Sequence, residues 1–298
     1  MPSRTLPLDR PLDLGLTLGP HLRGRFDPAM RLARAHAVRA TRTPDGPATI
    51  ELRVCGDRLE IEAWGSGAAL ALETAPALAG ADDRSAGFRP AHPLLASLER
   101  RLPGLRIGRS GAVLEALVPA ILEQKVTGTE ARRGYRGLIE RWGEPAPGPF
   151  GLRLMPAPGT IAAIPDQELH PFGVERRRAE LVRTVAARSR RFEEVVAMPL
   201  EDAYRRLTAL PGIGPWTAAE VAFRALGDTD AVSVGDYHLP NLVSFAFTGE
   251  RRGTDARMLE LLEPFRPHRA RVIRLLEAGG VRPEPHGPRM SPRSIAAI

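Results

Sequence analysis

Two features carry the chemistry of this 298-residue chain. One is a Pro- and Gly-bearing turn, Leu210-Pro211-Gly212-Ile213-Gly214-Pro215-Trp216-Thr217-Ala218; the other is a carboxylate, Asp236, in Val232-Ser233-Val234-Gly235-Asp236-Tyr237-His238-Leu239. The turn lies between two apolar runs of helical period, Leu200/Ala203/Leu207 and Val221/Phe223/Leu226, so it predicts two helices joined by a tight bend. Pro215 suits the first position of the second helix, where its missing N–H leaves nothing unsatisfied. The first amides of that helix lack intrahelical acceptors, and with the positive end of the dipole they suit a phosphate. Glycines let a ligand backbone come close. Such a contact reads no base sequence. The same residues also serve as an ordinary link between helices. Asp236 has two readings as well: a helix cap, or a carboxylate that stabilises a nearby developing cation and orients water. Asp228 and Asp230 are read as solvated loop residues. Trp216 is either a core residue or a stacking face.

The elements that must position these groups follow from periodicity. Ile50, Leu52 and Val54 alternate with Glu51 and Arg53, and Leu59, Ile61 and Ala63 with Glu60 and Glu62, across Gly56-Asp57; this predicts a β-hairpin with one buried face. Asp27 to Ala40 reads as a helix preceding it. Ala75 to Arg89, rich in Ala, Gly and Asp, reads as a loop leaving the sheet. Beyond it the pattern is helical: Val113, Leu114, Leu117, Val118, Ile121, Leu122 and Val126 share one face, Gly143 to Pro149 breaks the run, and six further apolar faces follow up to Leu276. The expectation is an α+β protein. An N-terminal antiparallel sheet domain with helices (1–88) precedes an all-helical domain (89–281) of roughly six to eight helices, with a Pro/Arg-rich tail (282–298).

Composition narrows the partners. Lys and Arg number 42 against 35 Asp and Glu, a net charge of +7, which favours a polyanionic partner, nucleic acid first. Lys125 is the single lysine, so apart from the N-terminus it is the one amine available for covalent catalysis. The lone Cys55 excludes an intramolecular disulfide, a four-cysteine zinc site and a four-cysteine iron–sulfur cluster. No His, Cys or carboxylate set has transition-metal spacing. No apolar stretch reaches membrane-span length and no signal core opens the chain, so no membrane partner and a cytoplasmic, nucleoid-associated bacterial protein are expected.

The stretch Leu210 to Ala218, followed twenty residues after Trp216 by Asp236, resembles the helix-hairpin-helix DNA glycosylases, most nearly the bacterial 3-methyladenine DNA glycosylase II group. Leu117 to Thr127 resembles the helix and turn that carry that group's DNA-inserting residue. Pro156 to Arg178 resembles its connection before the hairpin, and the N-terminal third its extra sheet domain. The likeness runs over roughly residues 8 to 280.

That resemblance implies a base-excision-repair enzyme acting as a monomer on double-stranded DNA with damaged bases. It would flip an alkylated purine out of the duplex and hydrolyse its N-glycosidic bond. Asp236 would stabilise the oxocarbenium ion, with Trp216 and Glu220 in the base pocket and Pro211, Gly212, Ile213 and Gly214 on the DNA backbone. Gln124 and Lys125 would fill the space of the flipped nucleotide. The carbonyls of Thr208, Leu210 and Ile213 would hold a Na⁺ or K⁺ ion; no other cofactor and no iron–sulfur cluster is implied. Trp216 stands where strand-cleaving relatives carry a lysine, which implies a monofunctional enzyme. Glu220, where that group carries a tyrosine, pairs with an arginine or faces a cationic base. The alternatives are an oxidised-purine glycosylase with lyase activity, and a non-catalytic lesion-binding protein.

Overall fold

The computed structural model describes residues 2–83 and 87–282. Five antiparallel strands form the sheet: β1 (Ser3–Pro7), β2 (Met30–Leu32), β3 (His36–Thr43), β4 (Gly46–Cys55) and β5 (Arg58–Trp64), in the order β1-β5-β4-β3-β2. The β4–β5 hairpin turns at Gly56-Asp57, with Gly56 at φ 63°, and pairs Leu52 with Ile61 and Val54 with Leu59. Two helices accompany the sheet, α1 (Leu14–Leu18) and α2 (Ala68–Leu78). Leu14, Leu18, Leu52, Ile61, Ala71 and Leu78 meet in one core.

Two expectations need correction here. Asp27 to Ala40 is not a helix, because β2 and β3 occupy most of it. Its Ala and Arg content suits a helix, but β4 offers a pairing edge, and alternation sends Ala37 to the sheet core while Val38 and Ala40 face the helical part. Tertiary pairing overrides local propensity. Nor does Ala75 to Arg89 begin as a loop: α2 runs to Leu78, with Ala75 and Leu78 buried. The chain beyond it is pinned by Asp83, whose buried side chain accepts from Arg10 at 3.0 Å, from Ile107 N–H at 3.0 Å and from Arg271. Burial pushes the Asp83 carboxyl up, but the Arg271 guanidinium, the Ile107 N–H and Arg10 together hold it below its ordinary value.

Helices follow: α3 (Pro93–Arg101), α4 (Val113–Leu122), α5 (Gly128–Trp142), α6 (Pro158–Ala163), α7 (Asp166–Leu169), α8 (Arg176–Ala187), α9 (Ser189–Glu193), α10 (Leu200–Thr208), α11 (Pro215–Val221), α12 (Leu239–Thr248), α13 (Asp255–Leu262) and α14 (Arg269–Ala278). Twelve helices are described where six to eight were expected; α6, α7 and α9 are too short to show a periodic face. The α+β architecture is as expected. Most of the expected tail, 283–298, lies outside the described residues. Among the described residues no helix is long and apolar enough to cross a membrane.

The helical part has two cores. Helix α4 is buried all round and anchors the first, with α5, α8, α10, α11 and the far face of the sheet. Helices α3, α12, α13 and α14 form the second. Glu115 of α4 ties the sheet to the first core by accepting from Arg39 (2.9 Å), Thr41 Oγ1 (2.9 Å) and Arg42 N–H (2.8 Å). Glu193 accepts the Val113 and Leu114 amides at 2.9 and 2.8 Å and so caps the N-terminus of α4. At the other end, buried Arg178 donates to the Leu122 carbonyl at 2.8 Å and the Gly173 carbonyl at 3.1 Å. The turn that follows α4 is therefore held from both ends of its helix.

Candidate active site

The bend between α10 and α11 is built as the residue types demand. Ile213 is buried in the first core, and its N–H donates to the Leu210 carbonyl at 3.0 Å. Gly212 has φ 99°, and a Cβ there would lie 2.9 Å from Leu181 Cδ2, so the fold itself needs glycine. Gly214 differs. Its backbone is extended (φ −90°, ψ −178°) and a Cβ would meet nothing within 4 Å, so the fold places no demand for glycine there. The first intrahelical bond of α11 is Ala218 N–H to the Gly214 carbonyl, 3.0 Å, which leaves the Gly214, Trp216 and Thr217 amides ahead of the ladder.

Asp236 sits at the seam of the two helical cores. Trp216, on α11, packs against the first; Leu239, which opens α12, belongs to the second. The Asp236 carboxylate bridges them. Its Oδ1 accepts the N–H groups of His238 (2.7 Å) and Leu239 (2.9 Å), and its Oδ2 accepts the indole N–H of Trp216 (3.0 Å). The cap and the positioned carboxylate are thus one arrangement. Asp236 is partly exposed, and Tyr237 beside it is 83% exposed with its ring edge-on to His238.

Glu220, one turn beyond Trp216, accepts from Ser233 Oγ at 2.6 Å and is ion-paired with Arg224. Burial would raise its carboxyl, but Arg224 and the Ser233 hydroxyl hold it below its ordinary value. Arg224 lies in a π-helical turn (222–226) continuing α11, and its Nε donates to the Pro20 carbonyl at 2.8 Å. Beyond it, between sheet and helices, is a cavity of about 30 Å³ whose lining includes His21, Arg23, Arg39, Tyr135 and Arg224. Burial and the neighbouring Arg39, Arg224 and Arg23 push the His21 imidazole well below its ordinary pKa. Burial also raises the Tyr135 phenol.

The turn after α4 brings Gln124 to the hairpin. Gln124 Nε2 donates to the Gly212 carbonyl (3.0 Å) and to Thr217 Oγ1 (2.9 Å), so the amide group braces the bend. Lys125 is exposed and has φ 55°, the one positive value among described non-glycine residues. Strain of this kind concentrates at functional turns.

The structure overturns one reading outright. Asp228 and Asp230 are not solvated: Asp228 is buried and accepts from Tyr204 Oη at 2.8 Å, and Asp230 is ion-paired with Arg269 (2.7 Å) and Arg266 (3.1 Å). Acidic residues in a connection look solvated until the arginines that meet them, here from α14 and the turn before it, are known. The bracing by Gln124 and the Arg224–Pro20 contact also escape sequence reasoning, since both join segments distant in the chain. No group of His, Cys, Asp and Glu among the described residues could hold a metal ion.

No family model matches the chain. It is 33% identical over 153 residues to a Mycobacterium tuberculosis protein named "Probable bifunctional transcriptional activator/DNA repair enzyme AlkA", covering 50% of this chain and 30% of that one. It is 29% identical over 168 residues to the Escherichia coli "DNA-3-methyladenine glycosylase 2", covering 56% and 58%. Among solved structures, a 3-methyladenine DNA glycosylase from Archaeoglobus fulgidus superposes with a TM-score of 0.79 at 20% identity, over 92% of this chain and 97% of that one. The matched stretch spans 30% and 58% of the length of these two curated relatives. The fold is that of the Archaeoglobus fulgidus structure, and the sequence is similar to the two curated DNA repair proteins, in line with the resemblance expected from the sequence.

Proposed function

We propose that this chain, which has the helix-hairpin-helix DNA glycosylase fold, is a monofunctional DNA glycosylase that releases alkylated purines of the 3-methyladenine type. One observation carries the reading: the helix that follows the bend reaches across and bonds the carboxylate of Asp236 through Trp216, 3.0 Å. A phosphate-gripping element and a group suited to a developing sugar cation are thus rigidly coupled.

The amides of Gly214, Trp216 and Thr217 bind a DNA phosphate. Lys125, on its strained turn, enters the space vacated by the extruded nucleotide. As the N-glycosidic bond breaks, positive charge builds on deoxyribose, and the fixed Asp236 carboxylate stabilises it. It then orients a water for attack on the anomeric carbon. A Na⁺ or K⁺ ion, when bound, would rest on the backbone oxygens of Thr208, Leu210 and Ile213 and add positive charge behind the bend. The Leu210 carbonyl accepts the Ile213 N–H at 3.0 Å and keeps a second lone pair for such an ion. Glu220 and Arg224 form a charged back wall to the base pocket. Trp216 contributes no amine where strand-cleaving relatives carry a lysine, and the proposed activity ends at base release.

The test is base release from duplex DNA treated with a methylating agent. Wild type should release methylated purines, and Asp236→Asn should bind the same DNA without releasing them. Release by the variant at the wild-type rate would refute the role of Asp236. Trapping of a covalent DNA adduct by borohydride would instead favour the lyase reading.

A further inference from the structure

Residues 23–29 of the sheet domain form a tight loop outside the proposed chemistry. Asp27, 2% exposed, is its foundation: Oδ2 accepts Arg23 N–H at 2.7 Å, Oδ1 accepts Ala29 N–H at 2.8 Å, and its own N–H donates to the Gly24 carbonyl at 3.2 Å. The Arg23 side chain turns inward to Glu123 at 2.8 Å, two residues before Lys125. The loop is therefore clamped to the back of the turn that carries the proposed wedge.

Its tip points the other way. Phe26 is 66% exposed, and two guanidinium groups face its ring, Arg25 at 5.3 Å and Arg136 of α5 at 5.8 Å from the centroid. Arg132, one turn before Arg136, lies against Gly24, where a Cβ would come 2.4 Å from Arg132 Cδ. Arg136 is paired with Glu140 at 2.7 Å, whereas neither Arg25 nor Arg132 has a carboxylate partner among the described residues. Fold stability does not call for a large exposed ring held among arginines. Cations for phosphates and a ring for sugar or base are the makings of a nucleic-acid contact. Arg136 is eight residues into α5, which begins three residues after Lys125.

We infer that Arg25 and Phe26 of the sheet domain, with Arg132 and Arg136 of α5, form a second DNA contact that grips the duplex flanking the lesion. The inference rests on the proposed DNA-binding function. It gives the sheet domain a direct part in substrate capture.

Anisotropy of a labelled duplex bearing a central abasic-site analogue tests it. Phe26→Ala should weaken binding about fivefold or more, and Phe26→Trp should retain wild-type affinity. Arg25→Ala combined with Arg132→Ala should lower the slope of log affinity against log salt by about two. Arg58→Ala, at the start of β5 and 68% exposed, removes one charge and should change neither. Melting temperatures should stay at the wild-type value, since both tip residues are solvent-facing, and base release from fully bound DNA should keep its rate. Phe26→Ala and the double arginine variant matching wild type in affinity and slope would overturn the inference and leave the proposed glycosylase intact. Wild type failing to bind duplex DNA at all would overturn both.

Discussion

The indole N–H of Trp216 donates to Oδ2 of Asp236 at 3.0 Å, which couples the helix behind the hairpin to the proposed catalytic carboxylate. With the two backbone amides on Oδ1, both carboxylate oxygens are fixed. Trp216→Phe keeps the aromatic volume and removes the bond. A hydrogen bond to a charged group contributes about 1.5–3 kcal/mol, so single-turnover base release should fall roughly 10- to 100-fold. Affinity for abasic-site duplex should stay unchanged. A parallel fall in affinity would mean that Trp216 acts mainly by contacting DNA.

Gly212 and Gly214 should respond in opposite ways. Gly212→Ala must strain a left-handed residue and press on Leu181, so it should lower stability by about 1–2 kcal/mol, seen as a lower urea midpoint. Gly214→Ala faces open space and should fold as wild type. If a DNA phosphate approaches there, the added methyl should weaken duplex binding. Unchanged binding would remove Gly214 from the interface.

Gln124 braces the bend from the turn after α4. Gln124→Ala deletes two hydrogen bonds to it, from Nε2 to the Gly212 carbonyl and to Thr217 Oγ1. The loss in stability should be about 1–2 kcal/mol, with increased amide exchange of the hairpin measured by mass spectrometry. Hairpin exchange equal to wild type would show that the bend holds itself.

Lys125 occupies a conformation that glycine adopts without strain. Lys125→Gly should melt at or above the wild-type temperature, whereas Lys125→Val, β-branched, should melt lower by an amount equivalent to about 1 kcal/mol or more. Duplex affinity should fall in both. A stable Lys125→Gly with undiminished affinity would count against insertion of this side chain.

The pH dependence of stability should carry the signature of His21. Its folded pKa lies well below 6.5, so the unfolded chain binds more protons between the two values. Stability is then complete above about pH 6.5 and declines on acidification through the window below it, by up to about 1.4 kcal/mol per pH unit from this group. His268, also lowered, mainly by burial, adds to the wild-type slope. Urea titrations from pH 7 to pH 5 should show a shallower decline for His21→Gln, and equal slopes would place His21 in a solvated setting.

The hairpin, the β4–β5 ribbon and α4 were legible because each is specified locally. Pro and Gly punctuate the bend, Gly56-Asp57 closes a ribbon of period two, and α4 shows a helical apolar stripe. Asp27 to Ala40 was misread for the converse reason: an Ala- and Arg-rich stretch becomes strand only when β4 lies beside it. The pairing of Asp228 and Asp230 was equally invisible, since Tyr204, Arg266 and Arg269 come from other elements.

The amino-acid sequence alone determined the α+β class and the bend, because turn chemistry and periodicity act over a few residues; Asp236 was picked out by resemblance to a known family. Tertiary structure alone decided that Trp216 holds Asp236, that Gln124 braces the bend and that Phe26 stands among arginines. Each of those contacts joins side chains from separate elements, and no local preference encodes a distance that packing sets.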